Sequence, residues 1–118
     1  VFRCPGALEI PGLARRVVDT GDFDGLIAIG LVIRGATPHF DLVVGEAVGG
    51  IARIAAEGKV AVGCGIVATE NMEQAVERAG SKAGNRGFDA AMVAVEMANL
   101  YESLGAAPAA RKRKGGRE

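Results

Sequence analysis

Continuous apolar runs alternate along the chain with segments whose apolar residues have helical spacing. This alternation predicts strands and helices in turn. The continuous apolar run at residues 26–33 predicts a strand buried on both faces, as in a parallel sheet. Residues 60–66 predict another strand, and residues 1–4 predict a short one that Pro5-Gly6 ends. Helices are predicted from Pro11 to Gly21, from Asp41 to Glu57, from Asn71 to about Ser81 and from Gly87 to about Leu104.

The resulting order, β-α-β-α-β-α-α, predicts an α/β protein in which helices cover both faces of a parallel sheet. Asn71 and Gln74 have the spacing of a capping box. Small residues in the second helix allow close packing: Ala47, Gly49, Gly50 and Ala52. Gly63 and Gly65 interrupt a strand, which often marks the close approach of a ligand or of other backbone.

Charge is unevenly distributed although the formal net charge is zero, with 14 basic and 14 acidic residues. Five basic residues and one acidic residue lie in residues 111–118, so the rest of the chain carries a formal charge of −4. An acidic body argues against nucleic acid as the main ligand. We therefore expect one domain at residues 1–104 and a disordered basic tail at 105–118, which could touch RNA or another polyanion.

The cysteines and the first residue of the sequence lead to two further expectations, about the cellular compartment and about the start of the chain. Cys4 and Cys64 form neither a disulfide framework nor a metal-binding pair, and no signal peptide or long apolar span is evident, so a reduced, cytoplasmic protein is expected. Val1 is not a start methionine and lies inside a predicted strand. The sequence is expected to be a fragment, a processed product or an engineered form.

Ligands of open parallel sheets bind at the carboxyl ends of the strands. Three loops occupy such positions here: residues 5–9, 34–39 and 68–71. His39 is the only histidine, and it follows a Gly-containing turn with a hydroxyl that could cradle phosphate. It could transfer protons near neutral pH, or it could be a surface histidine that caps a helix.

Other candidates each have an ordinary structural explanation. Arg78 and Lys82 are four residues apart on one predicted helix and could hold a phosphate, or Arg78 could simply pair with nearby acidic residues. Glu9 could accept hydrogen bonds from a polyol or an amine, or pair with a cation. Cys64 lacks a visible histidine partner and is expected to be buried and inert. One histidine and no cysteine cluster leave no metal site.

Four ordered blocks resemble the lumazine synthase family. They are PGALEIP at residues 5–11, IGLVIRGATPHFD at 29–41, EQAVERAGSKAGN at 73–85 and EMANL at 96–100. The resemblance implies a flavodoxin-like three-layer α/β/α sandwich that assembles as pentamers or icosahedral shells of pentamers. It also implies riboflavin biosynthesis: 5-amino-6-(D-ribitylamino)uracil and 3,4-dihydroxy-2-butanone 4-phosphate condense to 6,7-dimethyl-8-ribityllumazine. No metal or organic cofactor and no membrane partner is implied.

The resemblance also implies roles for individual residues. Ala7, Leu8 and Glu9 would hold the ribityl chain, whereas Leu31, Val32 and Ile33 would line the pyrimidine site. Ala36 and Thr37 would bind the butanone phosphate, and His39 would shuttle protons. Arg78, with Lys82 nearby, would bind phosphate from an adjacent subunit, and Cys64 occupies a position where many members place a stacking aromatic from the neighbouring subunit.

The family normally begins with a further strand and helix, which carry an aromatic residue that stacks on the substrate. The given sequence departs from the family because it does not contain this region. Two alternatives follow from this departure and from Cys64. The chain could be a truncated or engineered shell subunit of the same fold with little activity, or a flavin- or lumazine-binding protein. Retention of His39 and Arg78 argues against the second alternative.

Overall fold

A computed structural model of the chain describes residues 1–36, 38–81 and 84–105 and shows an α/β architecture. No helix within these ranges is both long enough and apolar enough to cross a membrane. After a 3₁₀ turn at Ala7–Glu9, the elements are α1 (Ile10–Asp19), β1 (Gly25–Ile33), α2 (His39–Glu57), β2 (Ala61–Thr69), α3 (Met72–Arg78), β3 (Ala79–Ser81), β4 (Gly84–Asn85) and α4 (Arg86–Leu104).

The main sheet of the described residues is one parallel pair. β1 and β2 are paired in a single register from Gly25 opposite Ala61 to Ile33 opposite Thr69. Both strands therefore end at the same edge. This pairing confirms the two strands that the long apolar runs predict and the parallel sheet that the element order predicts.

The predicted strand at residues 1–4 is not observed. These residues and the segment 25–31 line the same cavity of about 700 Å³, and Phe2 packs edge-on against Phe23 with ring centroids 6.0 Å apart. The prediction is wrong because this segment lines the cavity beside β1 and does not join the β1–β2 ladder.

The hydrophobic core lies between one face of the sheet and helices α1 and α2. It contains these buried residues: Ala14, Val18, Ala28, Ile51, Ile54 and Val60. Pro11 lies in the first turn of α1 as predicted, and a Cβ at Gly50 of α2 would lie 2.6 Å from the Pro11 ring. The predicted close packing therefore occurs at Gly50 and at the fully buried Ala47, whereas Ala52 is exposed.

Helix α4 packs on the opposite face of the sheet, mainly over β2, and forms the third layer. A Cβ at Gly63 would lie 1.9 Å from the carbonyl oxygen of Ala90, and one at Gly65 would lie 3.3 Å from the Ala90 Cβ. Of the two explanations for glycine in this strand, close approach of other backbone is therefore the one observed.

One face of β1 remains uncovered, which corrects the prediction that this strand is buried on both faces. Ile27, Ile29 and Leu31 are 44%, 58% and 49% exposed. The reason is that α4 packs mainly over β2 and reaches β1 only in part.

The helix ends differ from prediction where local backbone changes direction. The second helix begins at His39, two residues earlier than predicted. The third ends at Arg78 instead of about Ser81, because Gly80 adopts a φ of 143° and the chain enters the antiparallel pair β3–β4. Gly84-Asn85, predicted as a break, forms β4.

An ion pair joins α1 to the end of α2. Arg15 donates a hydrogen bond to Glu57, and this bond holds the pKa of the Glu57 carboxyl below its ordinary value. Because the folded-state pKa is lowered, the contribution of this exposed pair to stability is present at neutral pH and is lost as the pH falls through that lowered pKa.

Gly63→Ala should destabilise the protein, because its new methyl group would collide with the backbone of α4. Overpacking typically costs about 1–3 kcal/mol. Gly45→Ala is the matched control, since a Cβ at this helical glycine meets no atom within 4 Å. The control should raise the free energy of unfolding in urea by up to about 1 kcal/mol. Equal stability of the two variants would contradict the packing described for α4.

Candidate active site

Two of the three predicted loops meet at the carboxyl edge of the sheet. The Arg34 backbone N–H donates to the Thr69 carbonyl over 2.8 Å, which extends the β1–β2 ladder by one step. Thr69 is 2% exposed, and its hydroxyl donates to the Asn71 carbonyl over 3.0 Å. The loop after β1 and the turn after β2 are thus fixed side by side.

His39 is the first residue of α2, directly after the loop that follows β1. Its side chain is exposed, and it forms no hydrogen bond or ion pair with the residues that the structure describes. Helix capping by His39, the ordinary explanation, is therefore not observed. Nowhere in residues 1–36, 38–81 and 84–105 do three or more potential metal-ligating side chains of His, Cys, Asp or Glu come together.

Arg34 occupies the centre of a polar network at this edge. Its Nε donates to Glu70 Oε1 over 2.9 Å, and an Nη lies 3.4 Å from Asp41 Oδ1. Its Cζ lies 4.4 Å from the centroid of the Phe40 ring. Sequence reasoning assigned no role to Arg34. The register would have provided the signal, because Arg34 and Glu70 each directly follow the last paired residues of the two strands.

The Ala7–Glu9 turn packs near the end of β1. A Cβ at Gly30 would lie 2.7 Å from Ile10 Cδ1 and 3.9 Å from the Ala7 Cβ. Ala7 is half-buried, whereas Leu8 and Glu9 are exposed. Glu9 forms no ion pair with the described residues, so its carboxylate is open to solvent.

The strand candidates Leu31, Val32 and Ile33 are the last three residues of β1. Leu31 and Ala7 line the 700 Å³ cavity, but His39 and Arg78 do not. The cavity is lined mainly by apolar residues along the outer side of β1. Arg34, Asp41 and Glu70 do not line it either. Ala36, in the loop after β1, is exposed.

Helix α3 carries Arg78 as its last residue. The Asn71 side chain accepts from the Gln74 backbone N–H over 2.8 Å, as a capping box requires, while Gln74 Oε1 accepts from the Glu70 N–H over 2.9 Å. Arg78 is half-buried and forms no ion pair within the described part of the chain. Its ordinary pairing is thus not observed. Lys82 and Thr37 lie outside the described residues.

Cys64 lies apart from the other candidates. It lies in the middle of β2, opposite Ala28, and its exposure shows that the predicted burial is wrong. Thr69, at the carboxyl edge, is five residues further along, which corresponds to about 16 Å of strand. A single chain therefore does not bring Cys64 together with His39.

Comparison with known proteins yields a consistent family. The sequence model of the 6,7-dimethyl-8-ribityllumazine synthase family matches residues 1–102. The 6,7-dimethyl-8-ribityllumazine synthase of Chlorobaculum tepidum is 53% identical over 104 residues, which cover 88% of this chain and 67% of the relative. The enzyme of the same name from Chlorobium limicola is 55% identical over 104 residues, with the same shares covered.

Proposed function

The chain belongs to the 6,7-dimethyl-8-ribityllumazine synthase family, and we propose that its carboxyl-edge residues divide the work of that family's reaction among them. The function is the condensation of 5-amino-6-(D-ribitylamino)uracil with 3,4-dihydroxy-2-butanone 4-phosphate in riboflavin biosynthesis. The relatives that match carry a synthase name, and they do not favour the alternative of a shell subunit with little activity.

The reaction depends mainly on positioning the two substrates and needs only ordinary acid–base side chains. An amine and a ketone must be held together, which converts a bimolecular step into an effectively intramolecular one. Schiff-base formation, loss of phosphate and ring closure then need proton transfers, for which one histidine is adequate. A cation that binds the phosphate assists its departure.

The proposed roles follow the loops. His39 shuttles protons, and the adjoining Ala36 and Thr37 bind the phosphate-bearing substrate. Arg78 and Lys82 hold the phosphate, and the adjacent subunit supplies them. The remaining substrate contacts are assigned to Ala7, Leu8 and Glu9 for the ribityl chain, to Leu31, Val32 and Ile33 for the pyrimidine, and to Cys64 of a neighbouring subunit for the ring.

One observation carries this proposal. His39 projects from the first residue of α2 beside the carboxyl ends of both strands and remains exposed and unbonded within the described structure. A histidine held for structural reasons would be expected to cap or pair, whereas a proton shuttle must stay accessible to its substrate.

We also propose that the protein is cytoplasmic and self-associates, as pentamers or as a shell of pentamers. Self-association is supported by the outer side of α4, where Phe88, Met92 and Val95 follow helical spacing and are each more than half exposed. Such a stripe is unusual on a monomer's surface and is typical of an interface. The basic tail at 105–118 remains a prediction, since residues 106–118 lie outside the described structure.

His39→Ala should lower turnover by about 10²–10⁴-fold, the usual contribution of general acid–base catalysis, although water or buffer can replace part of it. Substrate binding and assembly should be nearly unchanged because the side chain makes no bond within the described residues. The pH–rate profile should also lose the limb that histidine ionisation produces. Steady-state kinetics across pH measures both effects, and sedimentation verifies assembly. Survival of both the turnover and the limb would exclude His39 as the shuttle.

Arg78→Ala should weaken use of the butanone phosphate by about 1.5–3 kcal/mol, the scale of a charged hydrogen bond. Use of the pyrimidine should change much less. The comparison requires kcat/KM for each substrate at saturating levels of the other. Arg16→Ala, on the exposed side of α1, is the matched control and should affect neither value. Equal losses for both substrates would place Arg78 elsewhere than at the phosphate.

Met92→Glu should dissociate the assembly, because it places a charge in the centre of the exposed apolar stripe on α4. Sedimentation at micromolar concentration should show the parent as a homo-oligomer and the variant as smaller species. Arg16→Glu introduces the same residue on α1 and should leave the mass unchanged. A parent protein that sediments as a stable monomer would refute the proposed self-association.

A further inference from the structure

Arg34 links β1, α2 and the turn after β2 at the carboxyl edge through its backbone and its side chain. Its backbone continues the β1–β2 ladder, so the Cα position is set by the sheet. From there the guanidinium contacts Glu70 after β2 at 2.9 Å and Asp41 in the first turn of α2 at 3.4 Å. Glu70 is in turn bonded through its N–H to Gln74 of α3.

These contacts close the base of the loop that carries the proposed chemistry. The loop leaves the sheet at Arg34 and enters α2 at His39, and the same Arg34 side chain contacts the two residues that follow His39. The guanidinium lies over the Phe40 ring, with its Cζ 4.4 Å from the ring centroid. Arg34 therefore contacts α2 immediately next to His39.

We propose that Arg34 is a positioning residue for the condensation, holding His39 at the carboxyl edge through Phe40 and Asp41 and aligning α2 with the turn that precedes α3 through Glu70. This inference rests on the proposed role of His39. It assigns Arg34 no contact with substrate.

The chemistry of arginine explains why this residue type suits the position. A planar guanidinium can stack on an aromatic ring while different nitrogens address two carboxylates. A lysine ammonium is a point charge and cannot satisfy all three partners at once. Exposed ion pairs add little to stability, whereas a displacement of about 1 Å at a reacting group can cost about 100-fold in rate.

The test compares Arg34→Met with Arg15→Met in the full chain. Arg15 is closely matched, because it also contacts two acidic residues, Glu57 and Asp19, and its side chain is 35% exposed against 40% for Arg34. It contacts the far end of α2, about 27 Å along the helix from His39. Arg34→Met should lower kcat by about 10–100-fold with little change in either KM. Arg15→Met should leave kcat unchanged, and both variants should shift the unfolding midpoint by similar small amounts.

A double-mutant cycle separates positioning from a general structural role. If Arg34 acts through His39, then Arg34→Met should lower kcat far less in the His39→Ala background than in the parent. Arg34→Lys should recover only part of the lost turnover. Glu70→Gln, which keeps the contacts to α2, should show a smaller loss in the same direction and serves if Arg34→Met fails to fold.

Each contrary result has its own meaning. Full turnover of Arg34→Met, complete recovery by lysine, or an undiminished effect in the His39→Ala background would overturn the positioning role while leaving His39 as the shuttle. Normal turnover of His39→Ala alone would instead overturn the proposed role of His39, and with it the inference for Arg34.

Discussion

The shift-free parallel pairing of β1 with β2 is the constraint on which the candidate site depends. Because Gly25 is paired with Ala61 and Ile33 with Thr69, both strands deliver the chain to the same edge at the same height. Arg34 and Glu70 therefore emerge side by side, and α2 and α3 start from neighbouring points. A slip of one residue would exchange the two faces of a strand. It would separate Arg34 from Glu70 and would also turn the buried apolar side chains of that strand away from the core.

The two faces of the sheet are packed in different ways. On the α1–α2 side, branched side chains such as Ile51 and Ile54 fill the space and bury apolar area. On the α4 side, Gly63 and Gly65 allow backbone to approach backbone at Ala90. Such a contact fixes α4 closely over β2 but leaves the outer face of β1 bare. The contact that holds α4 over β2 is therefore also the reason that the outer face of β1 stays exposed, next to the apolar stripe on α4.

The sequence predicts what depends on neighbouring residues in the chain. Apolar runs identify β1 and β2, and Asn71 identifies the start of α3. The strand at residues 1–4 and the burial of Ile29 are predicted wrongly, because each depends on which element lies alongside in space. The partners of Arg34 require the register of two strands, which no local pattern contains. The roles of Ala7, Leu31 and Arg78 come from the family resemblance and not from periodicity or spacing.

Stability and catalytic geometry are supplied by different parts of this fold. The core between the sheet and the α1–α2 layer provides the apolar burial that drives folding. The carboxyl edge holds its groups with exposed contacts, and such ion pairs are typically worth about 0.2–1 kcal/mol each. Contacts of that size scarcely affect whether a chain folds. They can still select one arrangement of a loop, and about 1.4 kcal/mol in an activation barrier is a tenfold change in rate. Substitutions at the weakly held carboxyl edge can therefore change the catalytic rate without changing the fold.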